Sequence, residues 1–186
     1  LRTDDVQYAV TDGVPRIVAG EVNVESSKLH TDMNSHFDYR EHYVKDAEVF
    51  DYFHELDSPA TKAEAHRLHQ TISRVVPKQS QLMLDAGCGN GWFAKRFVPK
   101  GKYVISMDIS PINPTRIHKE LSASNHLGLV ADVFHLPLKP NSFDTVVASE
   151  IMEHVPDPKR FVQSLYAVVK PGGRLIITTP YNEKIM

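Results

Sequence analysis

The sequence has little cysteine, little net charge and no long apolar run, and each absence excludes a class of protein. Its 186 residues include a single cysteine, Cys88, so no intramolecular disulfide can form, and a cytoplasmic location is expected. The formal net charge of −2 lacks the excess of basic residues that nucleic-acid-binding proteins carry. No apolar stretch is long enough to span a bilayer, and no signal peptide is visible. Because the chain begins with Leu1 and not with methionine, we expect it to be part of a longer protein.

What the chain does contain is one organising stretch, residues 82–93, with the sequence LMLDAGCGNGWF. A short apolar run leads into Asp85, and glycines follow at every second position, at Gly87, Gly89 and Gly91. An apolar segment that can open a helix comes next. This order of strand, glycine loop and helix predicts a ligand site, because glycine lets the backbone approach a ligand and a helix start offers free N–H groups.

The spacing of this loop indicates what kind of ligand it binds. Dinucleotide-binding proteins carry G-x-G-x-x-G, with the pyrophosphate at the helix start, whereas this loop reads G-x-G-x-G. The carboxylate of Asp85 would repel a pyrophosphate but attract an ammonium or a sulfonium. A nicotinamide-dependent oxidoreductase is therefore the disfavoured alternative. The stretch from Asp85 to Gly91 resembles the first motif, D/E-x-G-x-G-x-G, of the class I S-adenosylmethionine-dependent methyltransferases.

Further motifs of that family follow in the same order, and the resemblance covers roughly residues 81–180. Residues 150–155 (EIMEHV) are similar to the EVLEHV segment of small-molecule methyltransferases, and residues 169–173 (VKPGG) to its LKPGG turn. Strands alternate with helices, which predicts an α/β, Rossmann-like, doubly wound parallel sheet with helices on both faces. The expected strand order is 3-2-1-4-5, with the cofactor across the carboxyl ends of strands one, two and four.

The resemblance implies that S-adenosylmethionine is the cofactor and that acids at successive strand ends bind it. Asp108 follows the second strand about twenty residues after the loop, where a carboxylate can accept hydrogen bonds from both ribose hydroxyls. By resemblance, Asp132 and Val133 bind the edge of the adenine, and Glu150 borders the methionine part. The full predicted cofactor set is Asp85, Gly87, Cys88, Gly89, Asp108, Ile109, Asp132, Val133, Glu150 and Ile151.

The reaction implied is in-line methyl transfer to a small-molecule acceptor. A base is needed only if the acceptor must lose a proton, and the candidates are His154, Glu153 and Tyr43. For His154, a packing role is the alternative. An RNA or protein substrate, or a catalytically silent module that binds cofactor and a partner, are the alternative functions. No membrane partner and no metal site are predicted.

The first 34 residues are predicted to form a hairpin and a loop, and residues 35–186 the methyltransferase domain. Asp12 and Gly13 separate two apolar runs, which is a hairpin signal. This stretch also resembles the end of a zinc-ribbon module, whose cysteines would lie upstream. Two lid helices are expected next. The first spans residues 36–56 and carries Tyr39, Arg40 and Tyr43; the second follows Ser58–Pro59 and stops at Pro77.

The last predicted strand, Arg174–Thr179, lies at the edge of the predicted sheet. Members of the resembled family continue into a further helix and an antiparallel hairpin, which do not follow in this sequence. An uncovered edge strand promotes aggregation. We therefore expect a partner chain or a further segment to cover this edge.

Overall fold

The structure is a computed structural model, and it describes residues 2–3, 6–18, 42–45 and 58–180. The helices are α1 (Pro59–Val75), α2 (Trp92–Phe97), α3 (Ile112–Leu121) and α4 (Pro158–Val168). The strands are β1 (Arg2–Thr3), β2 (Val6–Gln7), β3 (Val10–Thr11), β4 (Val14–Ile17), β5 (Leu82–Ala86), β6 (Tyr103–Asp108), β7 (His126–Ala131), β8 (Phe143–Ser149) and β9 (Val169–Thr178). Short 3-10 turns span Val98–Lys100, Val133–His135 and Met152–His154.

Seven of these strands form one sheet in the order β3-β4-β7-β6-β5-β8-β9. The five strands from β7 to β9 are parallel and have the predicted 3-2-1-4-5 order, so the predicted fold class is confirmed. The sheet continues beyond this prediction, because β4 pairs in parallel with β7 and β3 pairs in antiparallel with β4. In the described sheet, β9 is the last strand at the opposite end; what covers it stays a prediction.

The N-terminal hairpin forms at the predicted Asp12–Gly13 turn. Both residues have positive φ, 52° and 78°, as a two-residue hairpin turn between twisted strands requires. The hairpin is fixed to the sheet, since Arg16 pairs with Val130 in β7. It is also fixed to α3, where Lys119 Nζ lies 2.7 Å from Asp12 Oδ2. Whether residues 1–34 end a separate module stays a prediction.

The two faces of the sheet carry separate apolar cores, one under each set of helices. On one face, Phe93 of α2 and Ile117 of α3 pack with Met83 of the central strand, and all three are fully buried. On the other face, Phe161 and Leu165 of α4 cover a second core. The predicted placement of helices on both faces is confirmed.

One local prediction differs from the structure in extent. The Pro171–Gly173 segment was expected to be a turn before the last strand, but β9 begins at Val169 and includes it. Val169 pairs with Phe143 whereas Arg174 pairs with Thr145, so the extra residues form a bulge in β9. Of the first predicted lid helix only residues 42–45 are described, and they are helical. Tyr39 and Arg40 lie outside the described residues.

None of the helices in the described part of the chain combines the length and the apolar character needed to cross a bilayer.

Candidate functional site

The carboxyl ends of β5, β6 and β8 meet beside the glycine loop, where the strand order reverses direction. Ligands bind at such a switch point in open α/β sheets. The loop is tied to β6, because the backbone N–H groups of Gly87 and Cys88 both donate to the carbonyl of Met107, at 2.8 and 3.0 Å. This bend after β5 brings the loop directly over the end of β6.

Asp85 and Asp108 lie close together at the base of this crevice. Asp85 is 2% exposed, and its Oδ2 has no hydrogen-bond partner among the described residues. Burial raises its pKa well above the ordinary value, and the nearby charge of Asp108 raises it further. A buried carboxylate oxygen without a donor is costly, so the site lacks the positive or donating group that this oxygen requires.

The carboxylate of Asp108 spans the junction between the glycine loop and β6. Its Oδ2 accepts the N–H of Gly89 at 3.4 Å, and its Oδ1 accepts the N–H of Ser110 at 3.1 Å. Burial raises the pKa of Asp108, although these backbone donors partly offset the rise. The thiol of Cys88, 2% exposed, lies 4.0 Å from Asp108 Oδ2, and burial raises its pKa well above the usual range. The structure therefore brings Asp85, Cys88 and Asp108 together, and their binding of a cofactor stays a prediction.

The three glycines of the loop have different surroundings. A Cβ on Gly87 would lie 2.1 Å from Ile151 Cδ1, so Gly87 lets the end of β8 pack onto the loop. A Cβ on Gly91 would lie 2.6 Å from Cγ1 of the buried Ile117, so Gly91 lets α3 pack closely. Apart from its two chain neighbours, no described residue has an atom within 4 Å of the same position on Gly89. Of the three glycines, Gly89 therefore has the most open surroundings among the described residues, and its role in binding a ligand stays a prediction.

Asp132 is placed differently from the other predicted acids. Its side chain is completely buried, and it caps the turn that follows β7. Oδ1 accepts the N–H of Phe134 at 2.9 Å, and Oδ2 lies 3.2 Å from Nδ1 of His135. The carboxylate thus faces its own turn, and Val133 begins that turn. A direct contact between Asp132 and adenine stays a prediction.

The segment after β8 brings the three candidate bases together. Glu150 has φ of 55°, a left-handed conformation that costs a non-glycine residue about 1 kcal/mol or more, and its N–H donates to Thr178 at the end of β9. The rings of Tyr43 and His154 meet edge to face at 5.5 Å. His154 is half exposed, and its Nε2 lies 3.8 Å from Glu153 Oε1. Glu153 Oε2 accepts a hydrogen bond from Thr179 at 3.2 Å.

Three residues that contact Asp132 or the turn after β7 were not predicted from the sequence. His135 contacts Asp132, Arg160 lies 3.4 Å from His135 through its Nη2, and Ser164 donates to the carbonyl of Val133. The three-residue spacing of Asp132 and His135 was a weak signal. Nothing in the sequence pairs the turn with α4, because that contact depends on how α4 packs on the sheet.

Comparisons with known proteins agree with this geometry. A family model described as "Methyltransferase domain" matches residues 84–177. The ubiquinone biosynthesis O-methyltransferase of Xanthomonas euvesicatoria is 35% identical over 130 residues, covering 66% of this chain and 54% of that protein. The ubiquinone biosynthesis O-methyltransferase of Xylella fastidiosa is 33% identical over 113 residues, covering 58% of this chain and 45% of that protein. A solved structure of phosphoethanolamine N-methyltransferase 2 from Haemonchus contortus, in complex with phosphomonomethylethanolamine and S-adenosylhomocysteine, superposes with a TM-score of 0.55. That protein is 30% identical, and the match covers 61% of this chain and 28% of that one.

The chain spans about half the length of the curated relatives it matches. The family match itself covers just over half of the 186 residues and contains the glycine loop and the ends of β6, β7 and β8. The predicted resemblance is thereby confirmed, and the chain belongs to the class I S-adenosylmethionine-dependent methyltransferases.

Proposed function

We propose that this chain transfers the methyl group of S-adenosylmethionine to a small-molecule acceptor. The observation that carries the proposal is the buried Oδ2 of Asp85, which has no hydrogen-bond partner among the described residues; in the loop that follows, no described atom crowds the Cβ position of Gly89. A cationic amino acid with a nucleoside attached fits both features. Its positive charge and its hydrogen-bond donors suit the carboxylate, and it can approach the loop backbone closely at Gly89 because glycine has no side chain. When bound, the cofactor supplies a methyl group on a sulfonium, which is a good leaving group.

The chain's own residues bind and orient the cofactor in this proposal. Asp85 attracts the positively charged amino-acid part, and binding lowers the pKa of this carboxyl from its raised value. Asp108 binds the ribose hydroxyls and is held in place by the N–H groups of Gly89 and Ser110. Val133 and Ile109 border the adenine, and Glu150 with Ile151 borders the methionine part. Positioning of this kind supplies up to about 7–11 kcal/mol in well-oriented reactions.

A small-molecule acceptor is supported by what the relatives act on. Two relatives above 30% identity are named for O-methylation in ubiquinone biosynthesis, and the Haemonchus contortus enzyme holds a phosphorylated amino alcohol. A hydroxyl acceptor must lose its proton as the new bond forms, which requires a base within hydrogen-bond reach. Tyr43, Glu153 and His154 form such a group beside the end of β8. We propose His154 as the base, since it is half exposed and contacts both others.

Calorimetry tests cofactor binding directly. The protein is titrated with S-adenosylhomocysteine and, separately, with NAD, and we expect heat of binding only with the first. Asp108→Ala removes two hydrogen bonds to a charged acceptor, at about 1.5–3 kcal/mol each, so affinity should fall at least about tenfold. The proposal would be wrong if the wild-type protein bound NAD and not S-adenosylhomocysteine.

A methyl-transfer assay then separates an enzyme from a silent cofactor-binding module. Cofactor with an isotope-labelled methyl group is incubated with a panel of phenols, catechols and primary amines, alongside RNA and protein fractions. We expect label in a small-molecule acceptor, with a loss of rate in His154→Ala for hydroxyl acceptors but not for amines. Binding without transfer to any acceptor would favour the silent module.

A further inference from the structure

We infer that α4 positions the adenine side of the cofactor site, through Arg160 and Ser164 of the helix and His135 of the turn. The inference rests on the proposed function, in which the turn after β7 borders the adenine. These three side chains are positioning residues, because they act on the turn and not on the cofactor itself. The evidence is a chain of contacts that holds each of the three turn residues, Val133 to His135.

Ser164 and Asp132 hold the peptide group between Val133 and Phe134 at both of its ends. The hydroxyl of Ser164 donates to the carbonyl oxygen of Val133. The N–H of Phe134, on the same peptide group, donates to Asp132 Oδ1 at 2.9 Å. A peptide group is planar, so fixing its oxygen and its hydrogen fixes its rotation. The direction of the N–H of Val133 then depends only on the φ and ψ angles of Val133 itself.

The second part of the chain of contacts runs from Asp132 through His135 to Arg160. A carboxylate only accepts hydrogen bonds, so Nδ1 of His135, 3.2 Å from Asp132 Oδ2, carries the proton. A guanidinium only donates, so in a hydrogen bond with Arg160 it is Nε2 of His135 that accepts. Nη2 of Arg160 lies 3.4 Å from that Nε2. The contacts therefore have one consistent direction, from Arg160 to His135 to Asp132.

Arg160 also contacts the middle residue of the turn. Its guanidinium carbon lies 5.3 Å from the centre of the Phe134 ring, within the range of a cation–π interaction. The helix that carries Arg160 and Ser164 is itself rigidly held. Asp157 caps its start by accepting the N–H of Arg160 at 2.9 Å, and Phe161 is completely buried beneath it. A rigid helix thus determines where the turn sits.

This arrangement assigns Asp132 an indirect role. Its carboxylate is completely buried and directed into the turn, so it shapes the backbone that meets the purine. The N–H of Val133 can donate to N1 of adenine, which accepts, but not to N1 of hypoxanthine, which carries a proton. A well-positioned turn therefore prefers an adenosyl ligand over an inosyl ligand, and a loosened turn loses that preference.

The test compares the affinities of S-adenosylhomocysteine and S-inosylhomocysteine for a set of variants, by calorimetry. Arg160→Ala and Ser164→Ala each remove one contact to the turn. Lys159→Ala is the matched control, because Lys159 is an exposed cation next to Arg160 on the same helix. His135→Asn keeps a donor near Asp132 and loses the contact with Arg160, whereas His135→Ala loses both. Thermal unfolding of each variant reports folding separately.

We expect Arg160→Ala and Ser164→Ala each to reduce the adenosyl-to-inosyl affinity ratio about three- to tenfold, the effect of one hydrogen bond. Lys159→Ala should leave the ratio unchanged, and His135→Asn should fall between wild type and His135→Ala. An equal weakening of both ligands in Arg160→Ala, or a ratio equal to that of Lys159→Ala, would overturn the inference. If the wild type binds neither ligand, the proposed function fails as well, which the same titrations reveal.

Discussion

Alanine substitutions in the glycine loop should separate the glycine that makes room for a ligand from those that allow packing. We consider Gly87→Ala, Gly89→Ala and Gly91→Ala, with Gly101→Ala as a matched control. Gly101 also has positive φ, 75°, and no described residue crowds its Cβ position, but it lies at the end of the 3-10 turn after α2. All four substitutions carry the same backbone cost of about 1–2 kcal/mol for an alanine in the left-handed region.

The packing cost differs between these sites. A Cβ at position 91 would meet three atoms of Ile117, at 2.6, 2.8 and 3.1 Å. Ile117 is completely buried and β-branched within a helix, so it has little freedom to move. Overpacking adds about 1–3 kcal/mol. At position 87 the contact is Ile151, partly exposed at the end of β8, which can shift more easily. Position 89 has no such neighbour among the described residues, so we expect Gly89→Ala to cost the same as Gly101→Ala.

Differential scanning fluorimetry and calorimetry with S-adenosylhomocysteine measure the two effects. For a chain of this size each kcal/mol lowers the Tm by about 2–4 °C. Gly89→Ala and Gly101→Ala should therefore have nearly equal Tm values, and Gly91→Ala should have the lowest. Only Gly89→Ala should both remain folded and lose affinity, by at least about tenfold. The reasoning is refuted if Gly89→Ala binds like Gly101→Ala, or if Gly91→Ala is as stable as either.

Three further predictions concern stability and pH. Burial, together with the charge of a neighbouring histidine, lowers the pKa of His126 from 6.5 to about 4. As the pH falls, His126 therefore becomes protonated in the unfolded chain before it does so in the folded chain. Stability should drop by up to about 3 kcal/mol between pH 6.5 and 4 in urea titrations, and His126→Asn should flatten this drop. Partial burial alone would raise the pKa of Asp144, but Lys170 and two backbone N–H groups at the start of β5 lower it overall. Asp144→Asn should therefore cost about 1 kcal/mol above pH 4 and progressively less below it, in the same assay. Burial raises the pKa of Asp85, so the folded state loses stability as the pH rises above 3.8. Asp85→Asn should raise the Tm of the ligand-free protein at pH 7 while weakening S-adenosylhomocysteine at least about tenfold, and an unchanged or lower Tm would contradict this.

The order of the elements was predictable because strong local signals mark most boundaries. Ser58 with Pro59 starts α1, and its hydroxyl accepts the N–H of Thr61 as a helix cap should. Asp157 does the same for α4. The pairing of the hairpin with β7 was not predictable, since no local signal in Val14–Ile17 states which strand edge it will meet. Pairing partners are decided by the assembled sheet and not by the segment.

For the candidate site, the sequence predicted which residues lie together but not how their side chains are oriented. The grouping of Asp85 with Asp108 follows from topology alone, because parallel neighbouring strands end at the same edge of the sheet. The orientation of a side chain at that edge does not follow from topology. Asp132 ends β7 as Asp108 ends β6, yet one carboxylate bridges the glycine loop and the other caps its own turn. That difference depends on the backbone after each strand, where Val133–His135 forms a 3-10 turn.

Three features of the candidate site each lower the stability of the ligand-free chain. Asp85 buries an oxygen to which no described residue donates, Glu150 has left-handed φ, and burial raises the pKa of Asp108. Such costs also occur singly elsewhere in the described structure, where Ser122 and Asn141 have positive φ and the buried Nδ1 of His126 has no partner among the described residues, but at this site three of them occur together. A sequence retains such costs where a bound group compensates for them. Ligand at a hundredfold excess over its Kd adds about 2.7 kcal/mol of stability, which is comparable to the cost of one buried, unpaired polar group. The grouping of these costs is consistent with the proposal that the end of β5 and the end of β8 form two sides of one ligand site, and it does not depend on any family motif.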